Sequence, residues 1–134
     1  MANKRRALVL CVLGLALTPC SRLSPSPVSV AGAWNGTLSA CVNQWDCTFT
    51  FQLQQSGSVL NGSWSANNNT MVNGTIVGSA GSSAVSMTLR PSNASFCAYS
   101  INAAVSQPAT MTGTFTAPTC ASPAPSGTFR ATRQ

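Results

Sequence analysis

The stretch Trp34-Asn35-Gly36-Thr37-Leu38 decides the fold, because its pattern returns along the chain. A large apolar residue is followed by a polar residue, glycine, threonine or serine, and a second large apolar residue. Since side chains alternate between the two faces of a β-strand, the pattern predicts a repeated strand with large residues and glycine on its inner face and hydroxyls on its outer face. The further copies are Leu60-Asn61-Gly62-Ser63-Trp64, Val72-Asn73-Gly74-Thr75-Ile76, Met111-Thr112-Gly113-Thr114-Phe115 and, in shorter form, Gly127-Thr128-Phe129.

Clusters of glycine, proline, asparagine and serine divide the chain from residue 33 onward into eight short runs. Asn-Gly commonly marks a hairpin turn. The copy at residues 111–115 has the same spacing without asparagine, so we place the Asn-Gly dipeptides inside strands. The predicted strands are residues 33–41, 47–54, 59–66, 70–78, 84–90, 95–105, 110–117 and 126–132.

Eight consecutive antiparallel strands with short connections predict an all-β, up-and-down meander. The inner face is apolar, and closure of the sheet removes its exposed edges, so we expect a small closed or nearly closed barrel. Glycine in mid-strand lets the backbone bend sharply where no side chain fits. The repeated glycines are therefore interpreted as points of curvature.

Gly32-Ala33-Trp34, at the start of the first strand, resembles the calycin barrels (lipocalins and avidins), in which the tryptophan packs across the barrel floor. Leu60-Asn61-Gly62-Ser63-Trp64, after a Ser56-Gly57 turn, is similar to the third strand of avidin-type barrels. The domain also resembles short bacterial lipoprotein β-domains that lack an assigned activity. Tyr99 and Phe115 stand where biotin binders stack tryptophans, so the resemblance does not extend to biotin binding.

The N-terminal region predicts export. Lys4-Arg5-Arg6 precedes an apolar run over residues 7–17, too short for the roughly 20 residues of a membrane-spanning helix, and residues 1–19 are interpreted as a signal peptide. Leu17-Thr18-Pro19-Cys20 resembles the bacterial lipobox, which implies lipidation of Cys20, although Pro19 replaces the usual small residue. Conventional cleavage after Ser29-Val30-Ala31 is the alternative.

The lipoprotein interpretation divides the chain into the signal peptide, a tether over residues 20–30 and a β-barrel domain over residues 31–134. It places the protein in the bacterial cell envelope, held by an N-terminal lipid anchor as its only membrane contact, or in the secreted fraction.

The composition argues against catalysis. The chain contains no histidine, no glutamate and one aspartate, so catalytic triads and histidine- or carboxylate-rich metal sites cannot be built. We therefore expect no enzyme, no catalytic residues, no cofactor and no metal site. Scattered arginines make no basic face for nucleic acid. We expect those of the barrel domain to be solvated on its outside: Arg90, Arg130 and Arg133.

Four cysteines remain beyond the leader and Cys20, and in a small exported domain an even number predicts disulfides. Three connectivities exist, and local geometry favours Cys41–Cys47 and Cys97–Cys120. Strand alternation places Cys41 and Cys120 on the face opposite the inner residues of their strands. Each bridge therefore requires a bulge or a loop residue. A four-thiolate metal site is the alternative, but CxxC spacing is absent.

Two functional hypotheses follow for what we expect to be a monomer. In the first, the protein is a non-catalytic binding module that holds a small apolar ligand in the barrel mouth, where the inner glycines leave a cavity. In the second, aromatic rings fill that space, and the protein is a structural or interaction lipoprotein whose outer hydroxyls and amides contact a glycan or a protein. The candidate cavity-lining residues are Trp34, Phe49, Phe51, Trp64, Tyr99 and Phe115.

Overall fold

A computed structural model describes residues 23–41, 46–106, 109–120 and 124–134. The predicted signal peptide, Cys20 and the predicted turn at Gln107-Pro108 lie outside the described residues. The strands are β1 (Gly32–Leu38), β2 (Thr48–Ser56), β3 (Val59–Ala66), β4 (Asn73–Ala80), β5 (Ala84–Pro91), β6 (Tyr99–Ser106), β7 (Thr110–Thr116) and β8 (Ser126–Arg133).

Every strand pairs antiparallel with its neighbours in sequence, and β8 pairs with β1. The prediction of an all-β, eight-stranded up-and-down barrel is confirmed, and the barrel is closed. No helix capable of spanning a membrane is found among the described residues.

The alternation read from the sequence holds around the wall. Large apolar side chains from all eight strands point inward, and threonine, serine, asparagine and glutamine occupy most outward positions. No polar or charged side chain among the described residues is fully buried. Burial of apolar surface contributes about 25 cal/mol per Å², so this inner face is the main source of the stability of the fold.

The Asn-Gly dipeptides lie within strands, as predicted. Gly36 is opposite Phe49 of β2, and a Cβ built on it would overlap the Phe49 ring. A Cβ on Gly62 would overlap the backbone carbonyl of Gln52 on the adjacent strand. No side chain fits at either position, which is the close approach that a strongly coiled sheet requires.

Three predicted strands were too long. β1 ends at Leu38, β4 begins at Asn73 and β6 begins at Tyr99. Asparagine turns explain the two late starts, since the Asn69 side chain accepts a hydrogen bond from the Met71 backbone N–H and Asn93 does the same for Ser95. Such local side-chain bonds compete with strand pairing.

The two ends of the barrel differ. The N-terminal end carries residues 28–31 and the short turns at residues 57–58 and 81–83. The opposite end, here called the loop end, carries the described residues of the longer connections, which are residues 39–41, 46–47, 67–72, 92–98, 117–120 and 124–125. Val30 at the N-terminal end, and Val72 and Ala117 at the loop end, are at most 1% exposed. Apolar residues therefore cover the core at both ends.

Candidate functional site

The interior of the barrel contains the six predicted lining residues. Strand register brings three of them into one row, because Trp34 of β1 is opposite Phe51 of β2, which is opposite Trp64 of β3. Phe49 lies two residues before Phe51 on the same face. All four side chains are 0–3% exposed.

These rings pack against one another. The ring centres of Phe49 and Phe51 are 5.4 Å apart, those of Trp34 and Phe51 are 6.2 Å apart, and Phe49 meets Trp64 edge-on at 6.1 Å. Aromatic pairs at 4.5–7 Å contribute about 0.5–1.5 kcal/mol beyond the burial of their surface. Each ring is therefore held in place by its neighbours as well as by its strand.

Tyr99 and Phe115 form a second aromatic pair on the β6 and β7 side of the interior. Their ring centres are 5.8 Å apart, and both side chains are 1% exposed. The structure thus brings the predicted residues together inside the barrel. Whether they line a ligand cavity stays a prediction.

Phe129 belongs to the same interior but was not among the predicted lining residues. Its ring centre lies 6.4 Å from that of Phe49 and 6.5 Å from that of Phe51. The signal was available in the sequence, because Phe129 ends the short copy Gly127-Thr128-Phe129. Closure of β8 onto β1 explains how the last ring reaches those of β2.

Residues 28–31, here called the closing segment, cross the N-terminal end. Val30 is fully buried, and its carbonyl accepts a 2.9 Å hydrogen bond from the indole Nε1–H of Trp34. The Val28 N–H donates to Gly81 in the β4–β5 turn at 2.7 Å. The Gln55 side chain accepts from the Val30 N–H at 2.8 Å and donates to the Val28 carbonyl at 2.9 Å. This part of the predicted tether is therefore packed onto the barrel.

Arg133 completes the N-terminal end, and the expectation that it is solvated on the outside was wrong. It is opposite Trp34 in the β1–β8 pair and shares its face, with only part of the side chain exposed. The guanidinium lies over the Trp34 ring, and Nη2 donates to the Ala31 carbonyl at 2.6 Å. Phe129 faces inward, and alternate residues along β8 share its face, so the sequence could have identified Arg133 as an inner residue. Arg90 and Arg130 are exposed, as expected.

Two disulfides lie at the loop end: Cys41–Cys47 closes the single connection between β1 and β2, and Cys97–Cys120 joins the segment before β6 to the segment after β7, which confirms the predicted pairing. None of the four cysteines lies within a strand, so the alternation of side chains between the two faces of a strand does not restrict their pairing. Cys47 has a positive φ of 64° immediately before β2. The pairing occupies the thiolates that a four-cysteine metal site would need. Among the described residues, no group of three potential metal-binding side chains is found.

Hydrogen bonds link the loops in pairs. The Asn68 side chain accepts from the Asp46 backbone N–H at 3.2 Å, and the Thr119 hydroxyl accepts from the Ala98 N–H at 3.1 Å. The carboxylate of Asp46 accepts from the backbone N–H and the hydroxyl of Thr48 at 3.0 and 2.8 Å. Asp46 therefore has a structural role at the loop end.

Two shallow grooves lie on the outer wall. One, of about 340 Å³, is lined by Phe51, Trp64 and hydroxyl and amide residues of β2 and β3, together with Ala33 and Gln134. The other, of about 450 Å³, is lined mostly by small residues of β5 and β6 such as Ala84 and Ala104. Both are open to solvent.

These features define the class of the molecule: a closed, eight-stranded up-and-down β-barrel with an aromatic interior, covered ends and a disulfide-linked loop end. The chain matches no family model, no curated protein and no solved structure.

Proposed function

We propose that the chain is an exported, lipid-anchored, non-catalytic β-barrel module of the bacterial cell envelope, monomeric, which acts through its outer surface. The observation that carries this proposal is the packing of the interior. The six candidate side chains are at most 3% exposed, and neighbouring rings contact one another at 5.4–6.2 Å. Rings at this spacing occupy the volume that a guest molecule would need.

Export to an oxidising compartment is supported by the two disulfides, because such bonds persist outside the cytosol. The lipid anchor rests on the lipobox-like sequence ending at Cys20. Described residues 23–27 are exposed, as a tether between an anchor and the barrel would be. A kinship with calycin barrels is supported by the strand order and by Trp34 at the covered N-terminal end.

The outer surface is the proposed contact face. Most outward positions carry neutral hydroxyl or amide groups, which can bond to the hydroxyls of a glycan or to the backbone of a protein. Disulfides and hydrogen bonds hold the described residues of the loop end, which lowers the conformational entropy that those residues lose on contact with a partner.

A second candidate function is the binding of a small apolar ligand among the interior rings. It is supported by the lining, since Trp34, Phe51 and Trp64 form a continuous aromatic row. Binding would require the rings to separate, and a ligand could enter only by displacing residues that cover an end of the barrel. This cost is the reason we favour the first function.

Native mass spectrometry of the exported protein separates the two functions. For the first, we expect the mass of the mature chain with its lipid and two disulfides, and no further non-covalent component. A small molecule that co-purifies in a 1:1 ratio would overturn the filled-core proposal in favour of the second. Fractionation tests the anchor: the wild type should pellet with membranes, and Cys20→Ala should not.

A further inference from the structure

The closing segment is packed onto the barrel and belongs to the folded domain, whereas described residues 23–27 before it are exposed to solvent. Val30 is fully buried in the core, and Val28 packs against it. Leu23 is 95% exposed, and residues 24–27 are exposed as well. The boundary between tether and domain therefore lies at about residue 28, not after residue 30.

Contacts from distant parts of the chain hold the closing segment. Gln55 in β2 binds it through both atoms of its amide, Gly81 accepts its first backbone N–H, and Arg133 in β8 donates to its last carbonyl. These partners lie on different sides of the barrel, so the segment crosses the end of the barrel and does not follow one strand. Its position depends on the closed fold.

Cleavage of the Ala31–Gly32 bond, the alternative given by Ser29-Val30-Ala31, would remove the closing segment. The Trp34 indole N–H, in a side chain 1% exposed, would lose its acceptor, and the buried Val30 side chain would leave the core. Gly32 would become a charged N-terminus. A Cβ built on the Gly32 Cα would lie 3.8 Å from Arg133 Nε, and the new ammonium group would be bonded to the same Cα. Two positive charges would therefore lie close together.

We infer that the mature exported chain retains residues 28–31 and that its leader is cut upstream of Val28. The step is hydrolysis by a leader peptidase of the exporting cell: water supplies the hydroxyl of the new carboxyl group on the leader and the hydrogen of the new amino group on the mature chain. This inference rests on the proposed export, and it assigns the bond at Ala31–Gly32 as a site that is not used.

The test is the N-terminal peptide and intact mass of the full chain produced in an exporting bacterium. An envelope or secreted form whose first residue precedes Val28 supports the inference, and a lipid on that residue identifies Cys20 as the cut position. An exported form that begins at Gly32 overturns the inference and, because it lacks Cys20, the lipid anchor as well, whereas the proposed export stands. An unprocessed chain that begins at Met1 and stays in the cytoplasm overturns the proposed export together with it.

A variant pair makes the test sharper. Ala31→Leu places a bulky residue where a conventional leader peptidase needs a small one, yet it retains the backbone carbonyl that accepts from Arg133. Ala31→Ser keeps a small residue and is the control. We expect both variants to be processed to the wild-type N-terminus with yields within twofold. Accumulation of precursor in Ala31→Leu only would overturn the inference.

Limited proteolysis of the purified exported protein gives a readout independent of processing. Cuts are expected within the exposed residues 23–27, leaving a resistant fragment that begins no later than Val28. A resistant fragment that begins at Gly32 or beyond would contradict a closing segment that is part of the domain.

Discussion

The guanidinium carbon of Arg133 lies 5.0 Å from the centre of the Trp34 ring, and the two residues are directly opposite each other where β8 meets β1. A cation over the face of an indole is attracted by the negative charge of that face. The same guanidinium donates to the Ala31 carbonyl, and the indole N–H donates to Val30. The pair therefore joins the first strand, the last strand and the closing segment at one point.

Replacement of Arg133 by alanine should lower the free energy of unfolding by about 1–3 kcal/mol, because both the ring contact and the charged hydrogen bond are lost. Arg130→Ala is the matched control, since Arg130 is exposed on the outer face of the same strand. It should change stability by no more than about 0.5 kcal/mol. Urea unfolding followed by tryptophan fluorescence measures both. Equal effects would show that only the charge matters.

Gly36 and Phe49 should be energetically coupled. Gly36→Ala places a methyl group against the Phe49 ring and should cost about 1–3 kcal/mol. Phe49→Leu removes the ring that the methyl group would meet. The loss in the free energy of unfolding of the double variant should therefore be about 1 kcal/mol smaller than the sum of the losses of the two single variants. A double-mutant cycle by denaturant unfolding checks this.

The control for this cycle is Gly81→Ala, where a Cβ would meet its nearest atom at an ordinary 3.6 Å. It should change stability by no more than about 0.5 kcal/mol. An additive cycle, or an equally harmful Gly81→Ala, would contradict the close approach of the ring to Gly36.

The two disulfides should contribute unequally to stability. Their cysteines are 23 and 6 residues apart, and in the chain-entropy model closure of such loops is worth about 3.4 and about 2.2 kcal/mol. The variant Cys97→Ser/Cys120→Ser should therefore unfold at a lower denaturant concentration than Cys41→Ser/Cys47→Ser. The reverse order would mean that local packing, not loop closure, sets their contributions.

Gln55→Ala should loosen the closing segment without unfolding the barrel. The Gln55 side chain is the acceptor for the Val30 N–H, so hydrogen exchange of that amide should accelerate about tenfold, equivalent to about 1.4 kcal/mol. Gln54→Ala is the control, since Gln54 is its exposed neighbour. Exchange at Ile76 in β4 should be unchanged in both variants. Equal Val30 exchange in the two variants would argue against the Gln55 contact.

Much of the barrel could be predicted from local patterns. The alternation of apolar and polar residues identifies the inner face of β2. The repeated pattern of large residue, polar residue, glycine, hydroxyl residue and large residue, first seen around Gly36, identifies strands that bend. Both signals arise within a few residues, because the two-residue period of a strand and the absence of a Cβ are local properties. The strand starts near Asn73 and Tyr99 were less predictable, since asparagine turns compete there with pairing.

The sequence by itself determined the order of the strands and most of their inner residues, and it favoured the observed pairing of the cysteines, because each depends on spacing along the chain. Only the tertiary structure decided that the Phe129 ring meets those of Phe49 and Phe51, that Arg133 covers Trp34, and that Val30 lies in the core. These contacts join residues far apart in the chain, or join a segment to a surface that several strands build together. Local patterns can identify the inner positions of Phe129 and Arg133, but the contacts that these residues make depend on the closure of β8 onto β1.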